Sequence, residues 1–138
     1  MSTVSLIVRK KIAATRDRLF RAWTDATQVL AWWGPKGVRC THAEVDARVG
    51  GRYRIGNAMP DGRVLWISGE FLEVEEPAKL VYTWRIDDGD VEMVTVRFED
   101  CGSETEVVVM HERIASEALR DGHAVGWEGC LEGLAAVV

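Results

Sequence analysis

The sequence predicts an α+β fold: a curved antiparallel sheet of about seven strands, two short helices after the first strand, and a long C-terminal helix across the sheet. Three observations predict it. From Val38 to Glu112, short runs of alternating apolar and polar residues are separated by Gly-, Pro- and Asp-rich turns, which implies consecutive antiparallel strands. Between Thr15 and Trp33 the apolar spacing becomes helical. From about Ser116 to the C-terminus Leu119, Trp127, Cys130 or Leu131, and Leu134 form one helical face.

The elements follow in order. Val4 to Ile12 reads as a strand, with Val4, Leu6 and Val8 alternating against Thr3, Ser5 and Arg9. Thr15 suits a helix N-cap, Asp17 complements the dipole of the first turn, and Leu19, Phe20 and Trp23 supply the buried stripe. A second helix is predicted from Ala26 to Trp33, where Ala26, Val29, Leu30 and Trp33 stand at i, i+3, i+4 and i+7. Gly34 is a natural residue just past its end and Pro35 forbids continuation. Successive helical residues point about 100° apart, so the adjacent indoles of Trp32 and Trp33 cannot fill one slot. This reading pins Trp33 to the core and sets Trp32 off the stripe, at a pocket or its entrance.

In the strand region the turns fall at 49–51, 59–63, 75–79, 87–90 and 99–104. Between them Leu80, Tyr82 and Trp84 share one face, as do Val94, Val96 and Phe98. Thr105, Val107, Val109 and His111 also share a face, which turns the His111 imidazole inward. Glycines at 122, 126, 129 and 133 form a stripe without side chains on the last helix. Two readings stay open for it: close packing against the sheet, or room left for a ligand.

The 138 residues are read as a single domain, 1–138, with a net charge of −5 and a pI of about 5.2. The longest basic run is Arg9-Lys10-Lys11, at the end of a strand, so nucleic-acid binding is not predicted. No apolar stretch reaches the roughly 20 residues that span a bilayer, and no secretory pattern opens the chain. Cys40, Cys101 and Cys130 include no CxxC pair, which points to a reduced, cytoplasmic protein. Cys40 and His42 fall on one strand face by alternation, yet the spacing of a zinc site is missing; no metal and no cofactor are predicted. No nucleophile-elbow, phosphate-loop or dinucleotide motif is present.

The segments LFRAWTDATQVLAWWGPKG, VGGRYRI, DGR, GEFLEVEEPAKLVYTW, the VTVRFED and TEVVVMHER strand pair, and the GWEGCLEGLAAVV ending together resemble the START-like SRPBCC superfamily. Within it they look like the stand-alone homologues of the activator of the heat-shock protein 90 ATPase. The resemblance implies a helix-grip fold, with a cavity between the C-terminal helix and the sheet. It also implies a binding module for a small apolar or aromatic molecule, since many members of the superfamily bind lipids, sterols or polyketide-like compounds. Residues expected to line the cavity are Trp32, Tyr53, Trp66, Tyr82, Trp84, Met93, His111, His123 and Trp127. Two alternatives are kept: a cyclase-, aromatase- or hydrolase-type enzyme with His111 as its catalytic candidate beside a carboxylate, and a chaperone-associated protein. A homodimer through an edge strand or an apolar patch also stays open.

Overall fold

The computed structural model describes residues 2–35 and 37–138; Met1 and Lys36, the latter inside the WWGPKG segment, lie outside them. The chain runs β1 (Val4–Ile12), α1 (Arg16–Thr24), α2 (Ala26–Trp32), β2 (Arg39–Val45), β3 (Arg52–Ala58), β4 (Val64–Glu75), β5 (Lys79–Ile86), β6 (Glu92–Cys101), β7 (Glu104–Ile114) and α3 (Glu117–Val137). One seven-stranded sheet has the order β1-β7-β6-β5-β4-β3-β2, antiparallel throughout. Helix α3 packs on β1, β7 and α2. This is the predicted architecture, the helix-grip fold.

Local chemistry fixes the helix boundaries. The Thr15 hydroxyl accepts from Arg18 N–H, and the Ser116 hydroxyl accepts from Leu119 N–H, each at 3.2 Å, capping α1 and α3. Asp25 does two jobs. Its N–H donates to the Arg21 carbonyl at the end of α1, and its carboxylate accepts from Thr27 and Gln28 N–H at the start of α2. Asp25→Ala should therefore cost about 1 kcal/mol, read as a lower urea midpoint at unchanged slope.

The facing of α2 differs from the periodic reading. The helix ends at Trp32, and Trp33 is its C-cap with extended torsions, φ −69° and ψ 139°. Leu30 is exposed, while Val29 and Trp32 are the buried helical residues. Once the chain leaves the helix, the 100° step no longer aims Trp33. Gly34 follows at φ +111°, a region that side chains rarely adopt, and turns the chain towards β2.

Alternation also fails in β2. The β2–β3 register shifts between Cys40 and His42, pairing Cys40 with Asn57 and His42 with Gly56. Cys40 is buried and His42 faces the outer side, so the two do not share a face and cannot act as a ligand pair.

Candidate ligand pocket and its polar network

Trp32 is 3% exposed, and its Nε1–H donates to the Ala22 carbonyl at 2.8 Å. It is a core residue, not a pocket residue, because it shares the buried face of α2 with Val29, three positions earlier, while Leu30 is exposed. Trp33 swings into the space beneath α3, its ring 5.5 Å from Trp127 and 6.1 Å from Trp84.

These three indoles wall a pocket of about 120 Å³, partly open to solvent. It lies between α3, which brings His123, Gly126, Trp127 and Cys130, and the strands β3 to β5, which bring Asn57, Ile67 and Trp84. The glycine stripe serves both of its readings. A Cβ on Gly133 would stand 2.7 Å from the Trp32 carbonyl oxygen, so glycine there permits close packing. A Cβ on Gly126 would meet nothing within 4 Å, so glycine there leaves the pocket wall open.

Of the other candidates, Trp84, His123 and Trp127 lie together at this pocket. Tyr53 and Tyr82 sit behind Trp33, around a separate recess of about 20 Å³. Their rings are 5.1 Å apart; the Tyr53 hydroxyl donates to the Thr83 carbonyl, and the Tyr82 hydroxyl accepts from Trp23 Nε1–H. Trp66 is on the other face of the sheet, under the Arg54 guanidinium at 3.6 Å and beside His42. Strand parity explains this, because its neighbours Leu65 and Ile67 are the pocket residues of β4. Met93 likewise alternates away from the inward Glu92 and Val94. Neither Trp66 nor Met93 lines the pocket.

His111 is fully buried and belongs to a network that ends at the pocket wall. Trp127 Nε1–H donates to His111 Nδ1 at 3.0 Å. An indole nitrogen only donates, so His111 must carry its proton on Nε2, which meets Glu92 Oε1 at 2.7 Å. His123 Nε2 reaches the same oxygen at 3.0 Å. The two imidazoles stack with centroids 4.7 Å apart. Burial, then the neighbouring Asp90 charge, raise the Glu92 carboxyl to about 7. Burial, then the neighbouring His123, lower His111 to about 3, and burial lowers His123 as well. Cys130 is no nucleophile, since burial pushes its thiol up to about 12.

Glu92, His111 and His123 present ligand atoms within 4.8 Å of one another, a spacing that a metal ion can bridge. The hydrogen-bond partner of His111 does not fit one. A histidine that binds metal through Nε2 carries its proton on Nδ1 and donates it outward. Here the group facing His111 Nδ1 is itself a donor, Trp127 Nε1–H. In this tautomer His111 turns an N–H, not a lone pair, towards Glu92.

Asn57 and Glu92 are site residues that the sequence reading above does not name. Both could have been found by parity: Glu92 precedes Val94, Val96 and Phe98 on their own face, and Asn57 follows Tyr53 and Ile55. A polar residue on an apolar face is the signal.

Comparisons with known proteins agree with this architecture. A Chromobacterium violaceum protein of known crystal structure superposes with a TM-score of 0.90 at 26% identity, covering 97% of this chain and 96% of its own. A Silicibacter pomeroyi AHSA1 protein gives 0.86 at 26% identity, with 96% of each chain covered. A Mycobacterium smegmatis protein shares the fold with a TM-score of 0.84 at 21% identity, over 97% of this chain and 90% of its own. No curated protein matches the sequence significantly. No helix among the described residues is long and apolar enough to cross a membrane. The family model for Activator of Hsp90 ATPase homolog 1-like proteins matches residues 13–138, and the chain belongs to that family.

Proposed function

We propose that this protein binds a small, largely apolar aromatic molecule between α3 and the sheet. The observation that carries the reading is a pocket of about 120 Å³, walled by Trp33, Trp84 and Trp127 and kept open by Gly126. Its size sets the ligand class. A dry cavity of about 150 Å³ accepts benzene, whereas sites for drug-sized ligands run to roughly 300–1,000 Å³. One aromatic ring is the right scale, and a sterol is not.

Gly126→Leu tests this. Leucine is a good helix former, so the variant should fold with stability equal to the parent or up to about 1 kcal/mol above it. Its side chain fills the pocket. In the parent, benzene titration should shift the indole N–H resonances of Trp84 and Trp127 to saturation; in Gly126→Leu the shifts should vanish. Benzene that leaves the parent unshifted, or that binds the variant equally well, defeats the reading.

A further inference from the structure

We propose that the occupant carries an acidic hydroxyl, as a phenol does, and that His123 takes its proton inside the pocket. The inference rests on the pocket reading above and adds the chemistry of the ligand's polar end.

Two observations lead to it. First, the apolar pocket is lined by two polar side chains that are at least nine-tenths buried, Asn57 at 4% exposed and Trp84 at 6%. Asn57 Oδ1 and Trp84 Nε1 have no hydrogen-bond partner among the described residues. A buried donor or acceptor without a partner is costly, and benzene can relieve neither. A hydroxyl group is both acceptor and donor, and Trp84 Nε1–H, which only donates, requires an oxygen.

Second, His123 lines the same pocket with Nε2 committed to Glu92 Oε1, and its Nδ1 makes no hydrogen bond among the described residues. With the proton on Nε2, Nδ1 holds a lone pair. A carboxylate behind an imidazole fixes its tautomer and gives the Nε2 proton a destination when Nδ1 takes one, the arrangement of a proton relay. His111 cannot serve, because its Nδ1 is occupied by Trp127 and the ring is sealed. It is a positioning residue that holds the Glu92 carboxylate in line.

The step balances without any co-reactant. The ligand O–H bond breaks and its proton bonds to His123 Nδ1. The His123 Nε2 proton passes to Glu92 Oε1. The products are a ligand oxyanion facing the Trp84 N–H donor, a neutral imidazole and a neutral carboxyl, so one negative charge moves from Glu92 to the ligand. The charged and titratable groups around Glu92 are Asp90, His111 and His123. Burial and Asp90 raise that carboxyl to about 7, so above pH 7 it is ionised and free to take the proton, and it holds the proton more firmly than an ordinary carboxylate would.

The test uses 3-nitrophenol, a weaker acid than Glu92 whose phenolate is yellow and whose neutral form is not, and nitrobenzene, which lacks the hydroxyl. Both are titrated into the whole protein at a pH just above 7, where Glu92 is ionised and the free phenol is still mostly neutral. The phenol should bind about tenfold or more tightly than nitrobenzene, and the yellow band should grow as it binds. Glu92→Gln removes the proton's destination; it should still bind 3-nitrophenol and lose the band. Equal affinities in the parent overturn recognition of the hydroxyl, and tight but colourless binding overturns the proton transfer. A band that persists in Glu92→Gln also overturns it. In these cases the pocket reading stands, whereas failure of benzene, nitrobenzene and 3-nitrophenol alike overturns both.

Discussion

Trp32→Ala should destabilise the protein by about 3–5 kcal/mol, and Trp33→Ala by clearly less. The periodic reading of α2 ranks the two the other way. The Trp32 ring lies 4.8 Å from Trp23 and 5.3 Å from Trp33, and its N–H satisfies the Ala22 carbonyl. Truncation would leave a large closed cavity and a buried carbonyl without its donor, two costs that add. Trp33 has the pocket of about 120 Å³ on one side and the recess of about 20 Å³ on the other. Part of its surface therefore faces space rather than packed side chains, whereas Trp32 lines neither space. Its removal should join the two spaces, so that Trp33→Ala takes up naphthalene while the parent prefers benzene. Urea titrations give the stability ranking, and the same indole N–H resonances give the ligand range. Equal losses, or the larger loss at Trp33, would mean that Trp33 is packed on all sides and that the pocket is closed in solution.

Elements governed by local rules were legible in the sequence, and the site was legible only in part. Thr15, Gly34 and Ser116 mark helix ends through short-range hydrogen bonds and torsions, and the strands declare themselves by alternation. His111 turned inward because its parity with Val107 and Val109 persists along β7. Two local irregularities defeated the same logic. A helix that ends one residue early re-aims Trp33, and one register shift separates His42 from Cys40. Neither leaves a compositional trace. The Glu92 network was hidden for another reason: its partners stand 19 and 31 residues away, on β7 and α3. Its meaning depends on tertiary contacts that periodicity does not encode.

Stability measured against pH in the parent and in Glu92→Gln should separate by up to about 3 kcal/mol across the titration of that carboxyl. Two imidazole N–H donors favour the carboxylate, but burial and Asp90 prevail and raise it from 4.5 to about 7 in the folded protein. Between those values the folded state keeps a proton that the unfolded chain has released. Its contribution is complete below pH 4.5 and is lost as pH rises through 7. His111 works in the opposite sense, because burial lowers it from 6.5 to about 3. The unfolded chain there takes a proton that the folded state refuses, so stability falls as pH drops from 6.5 towards 3. His123 acts in the same direction. Over the shared range the carboxyl opposes the two histidines, so the parent curve alone would hide its contribution. Subtraction isolates the carboxyl, since both proteins contain the same histidines. The stability of Glu92→Gln minus that of the parent should rise between pH 4.5 and 7 and then level off. A difference that stays constant across that range would show Glu92 titrating as an ordinary solvated carboxylate. The pair would then lack the proton affinity that the transfer from a bound phenol requires, whatever the pocket holds.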